Sequence, residues 1–387
     1  MERYIMEYRV LGNTGIEVGE IGMGCEGMTE ENCGMAGKFF DLAEEAGINY
    51  FDLYSPNPDL HQAIGKALQG RRDKFVIQGH LCSAWLDGEY KRTRDLEETK
   101  TAFENQMQNL AVDYLDIGMI HYCDALSDWQ TILDNGILDY AKALKAEGRI
   151  KHIGLSSHNP QVAQAAVETG DIEVLMFSIN PCYDLLPADE DVEQFWNLEN
   201  YQKHNTNMDP ERQALYETCQ SRGVGITVMK AFGGGDLLDA ELSPAGAALT
   251  VNQCISYCLT RPAVATVLAG AHTVEQLEAC IAYEDATEEE KDYAEAFANF
   301  PKISWEGHCM YCSHCGPCVV HIDIANVTKF LNLALAQKEL PETVREHYAV
   351  LDHHASECIR CGVCETRCPF GVGIRKNMDK ATAIFGY

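Results

Sequence analysis

Two kinds of patterning alternate along this chain. Residues 7–19 alternate apolar and polar positions around Gly12-Asn13-Thr14-Gly15, the chemistry of a tight hairpin. Short β-branched or apolar runs then recur at 21–24, 50–53, 75–78, 115–120, 150–155, 174–178, 225–229 and 264–269. Helix-period stretches separate them near 36–46, 59–69, 95–110, 129–147, 160–169, 209–222, 245–260 and 273–283. Eight such units predict an α/β fold, a closed (β/α)8 TIM barrel whose reactive groups stand where strands end and βα loops begin. The longest connection, 180–208, predicts a lid or docking surface over the barrel mouth. A further helix is expected over 287–299, before Pro301, and two more over 323–338 and 341–356.

Length and charge narrow the class. A chain of 387 residues accommodates a barrel, 1–300, and a small C-terminal module, 301–387. The formal net charge of -29, from 59 acids and 30 bases, repels phosphate backbones and anionic lipid, so nucleic acid and membrane partners are not expected. Neither a run of roughly 20 apolar residues nor a signal peptide at Met1-Glu2-Arg3-Tyr4 is present, and a cytoplasmic protein is expected.

Cysteines supply the strongest motif. Eight of the 17 fall into two runs, Cys309-x2-Cys312-x2-Cys315-x2-Cys318 and Cys358-x2-Cys361-x2-Cys364-x3-Cys368-Pro369. In two-cluster ferredoxins three cysteines of a run bind one iron–sulfur cluster and the fourth binds the other. One 4Fe-4S cluster is therefore assigned to Cys309, Cys312, Cys315 and Cys368, and a second to Cys358, Cys361, Cys364 and Cys318. Zinc also takes four thiolates, but it requires neither four cysteines per run nor the closing proline. Val319, not proline, follows Cys318. The other nine cysteines have no framework spacing and read as reduced thiols.

Polar residues gather at the expected strand ends: Asp52 and Tyr54, His80 and Cys82, His121 and Cys123, Ser156-Ser157-His158, Asn180 and Lys230. Three histidines at neighbouring strand ends, beside Asp52 and Tyr54, mark a candidate catalytic site. His80, His121 and Asp52 also have the ligand types for one metal ion, without diagnostic spacing. His158 is either a site residue or part of a helix cap. Gly233-Gly234-Gly235 suits a phosphate approaching backbone amides, or a flexible turn. Arg92 and Arg94 are either an anion clamp or solvated charge. Gly22-x-Gly24-x-x-Gly27 spells a dinucleotide fingerprint, yet no helix opens at Gly27, and the motif is discounted.

Tyr8-Arg9-Val10-Leu11-Gly12, Phe51-Asp52, Ile64-Gly65-Lys66-Ala67-Leu68, Tyr114-Leu115-Asp116-Ile117 with His121, and Ile153-Gly154-Leu155-Ser156 resemble the aldo-keto reductase family. With the C-terminal cysteines, the chain resembles its ferredoxin-fused branch from anaerobes. The resemblance implies hydride transfer from NADPH to a carbonyl by an aspartate, a tyrosine, a lysine and a histidine. Asp52 and His121 stand at two of those positions, but the tyrosine position holds Asn57 and the lysine position His80. Asn57 cannot give a proton to an alkoxide, and His80 is no permanent cation. Tyr54, with His80 or His121 as its partner, is the expected surrogate acid; His80 is the alternative proton donor, and His121 is expected to hydrogen-bond the substrate oxygen. After the eighth strand only His272 could meet a cofactor phosphate.

The leading expectation is an oxidoreductase whose clusters exchange electrons with a small substrate at the barrel mouth, served by a ferredoxin or another low-potential partner. A flavin, without a sequence motif, could convert between one- and two-electron steps. An ordinary NAD(P)H-dependent reductase, a non-catalytic electron carrier and a lyase with structural clusters are the alternatives.

Overall fold

The computed structural model describes residues 6–28, 30–204, 206–335, 337 and 339–387. The reading of Met1 to Tyr4 lies outside the described residues, as do position 205 of the long connection and positions 336 and 338 of the expected 323–338 helix. The hairpin β1 (Tyr8–Val10) and β2 (Glu17–Gly19) leads into β3 (Ile21–Gly24), α1 (Ala36–Ala46), β4 (Tyr50–Leu53), α2 (Pro58–Leu68) and β5 (Val76–Leu81). A second antiparallel hairpin, β6 (Ser83–Leu86) and β7 (Glu89–Arg92), follows at once. Then come α3 (Leu96–Leu110), β8 (Leu115–Ile120), α4 (Leu126–Asp134), α5 (Ile137–Ala146), β9 (Ile150–Ser157), α6 (Pro160–Glu168) and β10 (Val174–Ser178). The barrel is completed through α7 (Leu198–Lys203), α8 (Pro210–Arg222), β11 (Gly225–Met229), α9 (Val251–Leu259), β12 (Val264–Ala269) and α10 (Val274–Ile281).

β3, β4, β5, β8, β9, β10, β11 and β12 close in chain order into one parallel barrel, so all eight expected strands are present. Helices outside and side chains inside bury both faces of each strand, which is why Leu115–Ile120 and Val264–Ala269 are buried at every position instead of alternating with exposed ones. The first hairpin plugs the floor. Leu11 and Val18 pack with Tyr50, Ile117, Met176 and Leu268 in a core separate from the main one. Gly12 makes this possible: at φ +54° a Cβ there would lie 2.4 Å from the carbonyl oxygen of Gly223 and 2.4 Å from the Gly225 nitrogen.

Local chemistry corrects several boundaries. The helix expected over 129–147 breaks at Gly136, which takes φ +73°, into α4 and α5. The 245–260 helix starts only at Val251, where Thr250 and Gln253 form a capping box. The 287–299 helix is two pieces, α11 (Glu288–Lys291) and α12 (Ala294–Ala298), because Asp292 turns to accept from the Ala294 and Glu295 amides.

The C-terminal segment contributes α13 (Ile324–Leu335), α14 (Glu342–Ala349), α15 (Val363–Arg367) and an unforeseen α16 (Ile374–Phe385), whose Phe385 stacks on Tyr348 at 3.9 Å. This segment rests on the outside of the barrel: Gln337 donates to Ser221 Oγ at the end of α8, and Arg261, just past α9, donates to the Met310 carbonyl at 2.6 Å. Helices α8 and α9 flank β11, which stands opposite β5 in the eight-membered ring. Among the described residues no helix is long and apolar enough to cross a membrane.

Candidate functional site

Adjacent strands β4, β5 and β8 bring Asp52, His80 and His121 together, as their positions at successive strand ends require. His80 Nε2 lies 2.7 Å from Asp52 Oδ1, His80 Nδ1 lies 2.6 Å from His121 Nδ1, and His121 Nε2 lies 2.8 Å from the hydroxyl of Tyr90. Behind Asp52, Gln78 Nε2 donates to Oδ1 at 2.5 Å, and the Tyr50 hydroxyl donates to Gln78 Oε1 at 2.5 Å. One chain of hydrogen bonds thus runs from the barrel interior to the surface. Asp52, His80 and His121 are buried, while Tyr90 is 42% exposed.

The donors along this chain can be assigned. Tyr50 has only its hydroxyl proton to give, so Gln78 presents its oxygen to Tyr50 and its amide hydrogens to Asp52. An ionised Asp52 accepts, so His80 carries its proton on Nε2 and accepts at Nδ1. His121 then donates from Nδ1 and accepts at Nε2, and Tyr90 donates to it. Burial holds His121 well below the usual histidine range, and His80 adds to the effect, which fits a neutral ring. Every donor in this state points inward to the carboxylate. With one more proton on the pair, Asp52 balances an imidazolium, His121 donates to the Tyr90 oxygen, and the Tyr90 hydroxyl is released to donate outward. The histidine nitrogens face one another instead of a shared point, which argues against a mononuclear metal at Asp52, His80 and His121.

Tyr90 was not among the residues singled out from sequence. It enters on β7, whose turn is Asp87-Gly88 with both residues at positive φ, and Asp-Gly between extended runs is a strong hairpin signal that would have revealed it. Tyr54 stands beside it, its ring 6.2 Å from that of Tyr90 and 6.0 Å from that of His121. Burial raises the Tyr90 phenol, and Tyr54 raises it further.

The remaining expected residues line the same face in supporting roles. Asn57 caps α2, accepting from the amides of Asp59 and Leu60. Ser156 Oγ accepts from the Tyr122 amide. His158 Nδ1 pairs with Asp124 Oδ2 at 2.9 Å, and its ring lies 5.3 Å from that of Tyr122; it is Asn159 that caps α6. Burial pushes the Asp124 carboxyl up, but His158 more than reverses this and leaves it low. Asn180 caps the turn at Cys182 and Tyr183 and donates to the Lys230 carbonyl. Cys82, Tyr122 and Lys230, each just beyond a barrel strand, take positive φ, a left-handed strain typical of functional loops. Gly233, Gly234 and Gly235 also have positive φ, and the last two face open space.

Three expectations resolve differently. Arg94 spends its guanidinium on both oxygens of Asp128 and on the Tyr122 carbonyl, and Arg92 stacks over Tyr122 at 4.7 Å, so the pair anchors the hairpin. Cys82 and Cys123 are buried thiols whose pKa burial raises. After Gly24 the chain makes a single tight turn over Cys25–Gly27 and no α-helix opens at Gly27.

The eight clustered cysteines surround two small cavities. Cys309, Cys312, Cys315 and Cys368 line one; Cys318, Cys358, Cys361 and Cys364 line the other, with Cys315 touching both. Burial pushes the Cys309 thiol up to about 12, and Cys312 and Cys368 add to this, so the sulfurs are within electrostatic reach of one another. Burial raises the Cys315 thiol likewise, and buried thiols such as these two do not ionise near neutral pH without a positive centre beside them. Among the described residues no three His, Cys, Asp or Glu side chains converge closely enough for a single ion. A four-iron cubane is wider than one ion, and thiolates standing around a cavity suit it better than they suit zinc.

A buried polar path links the first cavity to the mouth. The Met310 carbonyl accepts from Arg261 and from the Tyr293 hydroxyl, and Arg261 stacks over Tyr257 at 4.5 Å. The Tyr257 and Tyr216 hydroxyls donate to the two oxygens of Asp184, at 2.6 and 2.5 Å. Arg212 lies 3.7 Å from Asp184 and donates to the His158 carbonyl at 3.2 Å. All five side chains from Arg261 to Arg212 along this path are buried.

Known proteins share the barrel. The model of the Aldo/keto reductase family matches residues 21–248. The chain is 29% identical over 288 residues to the "Uncharacterized oxidoreductase YqkF" of Bacillus subtilis, covering 70% of this chain and 89% of that protein. An aldo-keto reductase of Mycolicibacterium smegmatis is 27% identical over 191 residues, covering 48% of this chain and 62% of its own. Among solved structures, the holo form of aldo-keto reductase AKR11C1 from Bacillus halodurans matches with a TM-score of 0.59 at 24% identity, over 74% of this chain and 94% of that one, a likeness of fold. The cysteine-bearing segment lies beyond the residues that the family model matches.

Proposed function

Because the chain belongs to the aldo/keto reductase family, we propose that it is an oxidoreductase acting on a small carbonyl-type substrate at the barrel mouth, with electrons carried by two 4Fe-4S clusters on its eight clustered cysteines. The crossed grouping of those cysteines around two adjacent cavities carries this reading. Clusters held there would supply electrons one at a time. The path from Met310 through Arg261, Tyr257, Asp184 and Arg212 to His158 supports coupling to the mouth, although the cysteines lie on the β11 side of the barrel and His80 on the opposite side. Cys361, exposed and next to Ile359 at 62% exposure, is the natural contact for a ferredoxin or another low-potential carrier.

Reduction of a carbonyl to an alcohol takes two electrons and two protons. Tyr90 gives one proton to the substrate oxygen and solvent gives the other. His121 reprotonates Tyr90 from the pair it forms with His80, and Asp52 holds the charge of that pair. Anaerobic reconstitution tests the reading. About eight iron atoms per chain, and oxidation of the reduced protein by an aldehyde, ketone or enone, are expected. Iron-free protein with full carbonyl-reducing activity would sink it.

A second reading, an NAD(P)H-dependent reductase, is favoured by one observation: among the described residues, the hydrogen bonds of the Asp52–Tyr90 chain all join residues of the barrel. Gly234 and Gly235, facing open space, suit a phosphate against backbone amides. A nicotinamide held there would supply hydride to the carbonyl carbon, and Tyr90 gives the proton to oxygen. Saturable NADPH binding with hydride transfer in cluster-free protein would establish it, and an absorption spectrum decides whether a flavin is bound.

A further inference from the structure

We propose that the cleft between the barrel floor and α13 is a binding site for a small oxyanion of the phosphate type. The cleft has a volume of about 230 Å3 and is lined by Arg9, Gly12, Gln220, Gly223, Arg261 and Lys329 among others, none of them acidic. Three cations share one polar space in a chain with 59 acids and 30 bases.

Among the described residues, Arg9 alone of the three has a carboxylate partner. Arg9 pairs with Glu20 at 2.6 Å and donates to the carbonyls of Leu259 and Val264. Arg261 is 1% exposed; its Nη2 donates to Met310 and its Nε to Tyr257, while Nη1 has no partner among the described residues. An orphaned guanidinium hydrogen at such depth is destabilising unless something accepts from it. Lys329 approaches from α13, and no hydrogen bond or ion pair is found for it among the described residues. Burial lowers its pKa to about 8, with Arg9 and Arg261 adding to the shift, so it remains mostly charged near pH 7 beside two like charges.

A tetrahedral oxyanion resolves all of this. The arginine fork presents planar donors, and the ammonium supplies a point charge from another direction. The volume exceeds that of several waters, enough for a phosphate with a small substituent. The site lies at the opposite end of the barrel from Tyr90 and His121. Its occupant would tie the cysteine-bearing segment, through Lys329, to the barrel floor, through Arg9 and Arg261.

The test uses the full chain, cluster-loaded if clusters are present, with inorganic phosphate as the probe. Thermal unfolding is followed across millimolar phosphate at ionic strength held constant with chloride. A saturable rise in Tm is expected for the wild type. Lys329→Gln should need about tenfold more phosphate for the same rise, and Lys329→Arg should behave as wild type. Sulfate should substitute for phosphate and acetate should not. Should either variant fold poorly, broadening of the phosphorus resonance by wild-type protein reads binding directly. A rise that never saturates and is shared by Lys329→Gln is general salting-out stabilisation and overturns the proposal, as does the absence of any difference from chloride.

Discussion

His80 Nδ1 and His121 Nδ1 stand 2.6 Å apart at the ends of neighbouring strands β5 and β8. Two like nitrogens at that distance share one proton, so one ring donates to the other, and the contact of His80 Nε2 with Asp52 Oδ1 sets which ring donates. This contact joins two strand ends into one hydrogen-bonded chain that runs from Asp52 to Tyr90.

Tyr90→Phe keeps the ring of this half-exposed residue and removes the hydroxyl that is hydrogen-bonded to His121. We expect kcat for carbonyl reduction to fall by roughly 10²–10⁴-fold with little change in KM, and Tyr54→Phe to cost much less. Steady-state kinetics of the two variants decides between them. A larger loss for Tyr54→Phe would move the acid to the neighbouring loop.

The crossed cysteine sets make a spectroscopic prediction. Cys318→Ser and Cys358→Ser should each disturb the same cluster signal, although their positions are 40 residues apart in the chain. Cys315→Ser and Cys368→Ser should disturb the other. Each substitution should lower the iron content by up to about half. Electron paramagnetic resonance of the four variants checks the pairing, and a sequential pattern, run by run, would refute it.

His61, on α2, is 1% exposed; burial lowers its pKa to about 4, with the Ser55 backbone pulling weakly the other way. The unfolded ring titrates near 6.5, so between pH 6.5 and 4 the unfolded chain binds the extra proton. The contribution is fully present above pH 6.5 and is lost as pH falls toward 4, by about 3 kcal/mol. Comparing urea unfolding of wild type and His61→Leu at pH 7 and 4.5 should show the difference shrinking or reversing in acid. An unchanged difference would mean that His61 is solvated in the folded state.

Gly12→Ala should destabilise the barrel by on the order of 2–4 kcal/mol, because the added Cβ collides with backbone at Gly223 and Gly225 and the residue keeps a positive φ. Gly15 has a positive φ but open space around it, so Gly15→Ala should cost about 1 kcal/mol. Chemical denaturation of the pair separates collision from strain.

The sequence by itself determined the barrel, because eight apolar runs alternating with helical periods leave a parallel sheet few other ways to bury both faces. It also placed Asp52, His80 and His121 at strand ends, where adjacency in the ring follows from chain order. Tertiary structure decided what those residues touch. The mutual Nδ1 contact, the inward direction of every donor and the arrival of Tyr90 from β7 depend on hydrogen-bond geometry between distant segments, which no local pattern encodes. The same holds for Arg261 and Lys329: no motif singles out either one in the sequence, and only the packing of α13 beneath the barrel sets them together in one cleft with no acid on its walls.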